Sequence, residues 1–103
     1  MDTDFQTIIN QINEINEEIA DEKMIIENAK IIISHAKHDF EKNVLSKDEY
    51  DSFLITLNND IKESKSKLMR YYCESLNLRI TKKNYEIANL NKFQTDCLNT
   101  LIT

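Results

Sequence analysis

Neither glycine nor proline occurs anywhere in the 103 residues. Glycine is the residue that enters left-handed turn conformations without a steric penalty. We therefore expect no residue suited to such a turn, and no tight hairpin of the Asn-Gly type. Glycine loops that cradle phosphates are excluded, and with them the Rossmann and P-loop nucleotide sites. The glycine-flanked nucleophile elbow of the α/β-hydrolases is excluded as well. An all-α protein is what remains.

At this length one domain is expected, spanning 1–103. Hydrophobic residues make up 41 % of the chain and the formal net charge is −5, which is lean for a globular core but not the composition of a disordered chain. No stretch approaches the roughly 18 apolar residues of a membrane span, and the longest aliphatic run is Ile31-Ile32-Ile33. The first residues, Met1-Asp2-Thr3-Asp4, are acidic, whereas a secretory signal begins basic and turns apolar. The expectation is a cytoplasmic protein. Isoleucine, asparagine and lysine are unusually frequent, a bias typical of AT-rich genomes. A small viral or phage accessory protein, working in the host cytoplasm, fits that bias. Cys73 and Cys97 lie 24 residues apart with no CxxC, so they read as ordinary thiols and not as a disulfide framework or zinc site.

The first helix is the clearest element. Phe5, Ile12, Ile19, Ile26, Ile33 and Phe40 fall seven residues apart, the spacing of a coiled-coil seam. Ile8, Ile15, Glu22, Ala29, Ala36 and Asn43 accompany them. The pattern predicts a helix over about 4–44, capped by Asp2, Thr3 or Asp4. Ser46-Lys47-Asp48-Glu49 then reads as a capping box, which places a turn at 45–47. This stretch resembles the turn of many unrelated coiled-coil hairpins, a matter of capping and not of family.

A second helix is expected from about 47 to 77, with Tyr50, Leu54, Leu57, Ile61, Leu68 and Tyr71 among its seam residues. Leu76, Leu78 and Ile80 then alternate with polar residues in a strand-like period. That alternation suggests a break at 77–82, with Thr81 capping a third helix over about 82–101. The third helix would bury Ile87, Leu90, Cys97 and Leu101, with Tyr85, Phe93 and Leu98 at its flanks. Two architectures follow. Either the C-terminal helix continues the second, or it folds back as a three-helix bundle.

A tight turn makes the first two helices antiparallel, an elongated coiled-coil-like hairpin. Pairing Phe40 with Tyr50 and stepping outward sets Ala36 against Leu54, Ala29 against Ile61 and Ser64 against Ile26. Small residues then face large ones, as interdigitated packing requires. Glu22, opposite Leu68, is the misfit, expected to swing to the rim or pair with Arg70. Charge agrees with this direction. Residues 1–22 hold seven acids and no base, and residues 62–83 hold seven bases against Glu63 and Glu74. An antiparallel hairpin lays one block beside the other.

A two-helix hairpin buries little, and small helical domains often need help. Ile9, Ile25, Ile31 and Ile32 form a second apolar strip, and with Phe93 and Leu98 they are the candidate contacts for a second copy or a partner. Self-association to a dimer or larger, and docking onto a larger protein, is the expected function. No enzymatic activity, cofactor or metal is expected. His35 and Asp39 share a helix face but no second ligand cluster accompanies them. No serine lies in a nucleophile context, and although either cysteine could pair with a histidine of another helix, a bundle without loops has few places for an oxyanion hole. The alternative is a nucleic-acid-binding regulator. Lys65, Lys67, Arg70, Tyr72, Lys82 and Lys83 would then contact phosphates and bases. The chain's pI near 5.0 argues against it.

Overall fold

The computed structural model describes residues 2–102, with the side chains of residues 4–102. The described residues form two helices, α1 (Asp2–Glu41) and α2 (Lys47–Ile102), and no strand. The fold is an all-α helical hairpin. Capping of α1 by Asp2 or Thr3 concerns side chains outside the described residues, and Asp4 lies within the helix.

The turn combines one expected device with one that was not. Ser46 Oγ accepts from the Glu49 backbone amide at 3.1 Å. Glu49 Oε1 accepts from the Ser46 hydroxyl at 2.9 Å and from its amide at 3.4 Å. This is the reciprocal capping box that the Ser-x-x-Glu spacing predicts. On the other side of the turn, α1 stops at Glu41, not near Val44. The Val44 amide donates to the Asp39 carbonyl at 2.8 Å and the Asn43 amide to the Phe40 carbonyl at 3.0 Å. These two bonds are a Schellman motif. Its left-handed residue is Asn43, with φ 62°. Lack of glycine therefore does not exclude a left-handed turn. Asparagine's short amide tolerates that region better than other side chains do.

The expected break at 77–82 does not occur, and α2 runs unbroken for 56 residues. Thr81 caps nothing. Its hydroxyl donates to the Asn77 carbonyl at 2.9 Å, one turn back within the helix. The strand-like alternation is two helical faces read as one. Leu78 is half-buried, while Leu76 and Ile80, four residues apart on another face, are exposed. Of the two architectures the continuous one is seen: among the described residues no third helix folds back, and α2 continues to Ile102.

The hairpin divides into two compact units. One is Glu17–Tyr72, which contains the turn. Here Phe40 and Tyr50 stack, with ring centroids 4.7 Å apart and planes 8° from parallel, a favourable aromatic geometry. Ile19, Ile26, Ala29, Ala36 and Ser64 are buried along its seam. The other unit joins Met1–Asn16 to Cys73–Thr103. In it the Phe5 and Tyr85 rings meet at 6.4 Å, and Ile8 and Ser75 are buried. Phe5–Tyr85 falls in the same layer sequence as Phe40–Tyr50, now carried past the point where a break was expected. Among the described residues no large side chain is fully buried. Each unit has a core one seam thick.

Candidate interaction surface

Glu22 sits in the seam of the turn-containing unit and is only 7 % exposed. It neither reaches the rim nor pairs with Arg70. Its Oε2 has no hydrogen-bond partner, and the Arg70 guanidinium lies over the Tyr71 ring, 5.3 Å from its centroid. The seam position points the side chain at α2, and a thin seam leaves it little room to turn away.

Among the described residues no ion pair joins the acidic block to the basic one. Two ion pairs occur among the described residues, Lys67–Glu63 at 3.6 Å and Lys82–Glu86 at 3.8 Å. Both lie along α2 at i,i+4, where such pairs contribute a few tenths of a kcal/mol. Lys23 of α1 does reach α2, but through the face of Tyr72 at 5.6 Å. Of the basic residues considered for nucleic acid, Lys65, Arg70 and Lys83 are exposed and unpaired with acids, while Lys67 and Lys82 face their own acidic neighbours. Tyr72 is exposed beneath Lys23.

The apolar surface is the larger feature. On α1, Ile25, Ile31 and Ile32 are exposed, joined by Met24, while Ile9 is half-buried. Phe93 and Leu98 are exposed on α2. A third helix folding back would place Ile87, Leu90, Cys97 and Leu101 inside a bundle. The structure exposes all four, because no helix returns to cover them. From Glu86 to Ile102 every residue of α2 is exposed. Leu76 and Ile80 belong to the same surface and were missed. Their seven-residue relation to Lys83, Leu90, Cys97 and to Ile87, Gln94, Leu101 is visible once the helix is read through 77–82.

The surface depressions are shallow. One is lined by Phe93, Asp96, Cys97, Thr100 and Leu101, all on α2. Another is lined by Asp48, Glu49, Ser52, Phe53 and Thr56, again on one helix. Among the described residues no three His, Cys, Asp or Glu side chains gather as a metal set. His35 and His38 are exposed. Among the described residues no helix is long and apolar enough to cross a membrane. Comparison with known protein families, with curated proteins and with solved structures finds no match for this chain.

Proposed function

We propose that this chain is a non-enzymatic interaction and assembly protein. It self-associates through helical faces, as a dimer or larger, and docks onto a larger partner protein. The observation that carries the proposal is the run of exposed large apolar side chains on α2, from Leu76 through Ile80, Ile87, Leu90 and Phe93 to Leu101. Scattered exposed leucines are ordinary. A periodic, contiguous band is the mark of an interaction surface. The one-seam core supports the same reading, since two helices alone bury too little for comfortable stability. The two exposed free thiols, Cys73 and Cys97, suit a reducing compartment, so the reading extends to the cytoplasm, of the host if the source is viral.

Light scattering across a dilution series tests the proposal. The expected result is a species of at least twice the 12.2 kDa chain mass, dissociating on dilution. A single-chain mass at the highest attainable concentration overturns self-association.

A further inference from the structure

Building on that reading, we propose that the outward face of α2 is an antiparallel coiled-coil seam for a second copy of this chain, with Lys83 of each copy set against Gln94 of the other. Within the unit that holds the C-terminal half of α2, the helix has two distinct faces. The inner face carries Ser75, Leu78, Lys82 and Tyr85, all buried or half-buried. At the same alternating spacing the next residues are Asn89, Lys92, Asp96 and Asn99. The inner seam therefore turns polar just beyond the Phe5–Tyr85 contact, and it is not an unfinished site for a longer α1.

The outer face does the opposite. Cys73, Ile80, Ile87, Gln94 and Leu101 lie seven apart, and Leu76, Lys83, Leu90 and Cys97 lie seven apart three residues further on. Together they make the 3-4 spacing of coiled-coil core positions. Every one is exposed, the five isoleucines and leucines by 48–83 %. Only Lys83 and Gln94 are polar. A surface with this period is read by another helix, because knobs-into-holes packing needs the same repeat on both sides.

The two polar residues identify which helix and which direction. In a parallel pair Lys83 faces Lys83 of the other copy, and like charges meet in an apolar seam. In an antiparallel pair one register sets Lys83 against Gln94. The remaining layers are then Leu76 with Leu101, Ile80 with Cys97, and Ile87 with Leu90. Apolar meets apolar throughout, and the lysine ammonium donates to the glutamine carbonyl oxygen. A slip of one heptad in either direction sets Lys83 against Ile87 or against Leu101. The pattern is thus complementary to itself under a two-fold axis, as an isologous dimer requires. In this register residues 89–101 of each copy lie along 76–88 of the other, so the exposed C-terminal stretch of α2 is covered.

The test uses the full-length chain and charge variants at position 94, read by the dimer dissociation constant at low salt. Q94E sets a carboxylate against Lys83 at two symmetric positions and should tighten the dimer roughly fivefold or more. Q94K sets lysine against lysine and should weaken it by at least as much. A parallel pair reverses the first sign, because two glutamates would then meet. L90E should reduce the mass to one chain with helical content unchanged, since Leu90 is 55 % exposed and outside the hairpin seam. I55E, at a position of the turn-containing unit that is 64 % exposed, should leave the dimer intact. A wild-type monomer overturns self-association itself. A dimer that survives L90E overturns only this seam. A dimer that L90E abolishes but Q94E weakens overturns the antiparallel register.

Discussion

Replacing Glu22 by leucine should stabilise the hairpin, although it removes a charged residue from a chain rich in charge. Glu22 is 7 % exposed and one of its carboxylate oxygens has no partner. The layer count from Phe40 and Tyr50 assigns it to the layer of Leu68, with Ile19 and Ile26 one turn away on its own helix. Leaving a buried polar atom unsatisfied costs about 1–3 kcal/mol, and an apolar side chain of similar size at a buried position contributes about 1.5–3 kcal/mol relative to an exposed one. Part of the second term is already supplied by the glutamate's own methylenes, so E22L should gain about 2 kcal/mol. Urea slopes for small proteins are about 1–3 kcal/mol per molar, which puts the midpoint higher by about 1 M. The assay is urea unfolding by circular dichroism at one fixed protein concentration, with E22Q alongside. E22Q removes the charge but keeps a polar group in the seam, so it should gain less than E22L. An E22L midpoint equal to or below the wild type would refute the reasoning, because Glu22 would then have partners or solvent access that its burial denies.

The turn offers two further measurements. N43G should raise stability by a few tenths to about 1 kcal/mol and N43V should lower it by about 1–2 kcal/mol, since the residue sits at φ 62°, where a β-branched side chain is strained; thermal melts decide this, and equal melts for the two variants would contradict it. S46A should cost about 1 kcal/mol by removing the cap on the Glu49 amide, with E49Q nearly silent because glutamine can still reach back. Nucleic-acid binding gives a third. The expected result is no salt-dependent shift of single- or double-stranded oligonucleotides, and binding that falls with salt and disappears in K65E/K67E/R70E would place the basic face of α2 ahead of its apolar one.

Much of the fold was legible in the sequence because it rests on strong, local and repeated signals. The seven-residue spacing from Phe5 to Phe40 specifies a helix and a face. The Ser46–Glu49 box specifies where the next helix starts, and the layers counted outward from Phe40 and Tyr50 hold at Phe5 and Tyr85. What was misread had weaker or ambiguous physics. Most asparagines do not adopt the left-handed conformation, and Asn43 also falls at a seam spacing, so nothing in the sequence singles it out. Leu76, Leu78 and Ile80 fit either a strand's period of two or two separate faces of one helix, and only the absence of helix breakers on either side argues for the latter. That one misreading also hid the candidate surface. A helix expected to fold back buries Ile87 and Leu90, and a helix that runs on presents them to solvent.

The inner seam itself explains why such a surface suits this chain. Its buried positions are mostly small or polar: Ala29, Ala36, Ser64, Ser75 and Glu22 beside Ile8, Ile19 and Ile26. Small residues let helices approach closely but remove little apolar area from water, and burial near 25 cal/mol per Å² is the main favourable term in folding. Larger side chains than these lie outside, along α2. If a second copy covers them, part of the folding free energy is intermolecular and stability must depend on concentration. For a dimer, a tenfold rise in concentration contributes about 1.4 kcal/mol per dimer, and the roughly 200 residues that unfold with it gain about 2–4 °C per kcal/mol. The melting temperature should therefore climb by several degrees over each decade of protein concentration, and L90E should melt lower and at a temperature independent of concentration. A wild-type melt that stays fixed over two decades would mean the hairpin carries its own stability, and the exposed leucines and isoleucines of α2 would then have no part in folding.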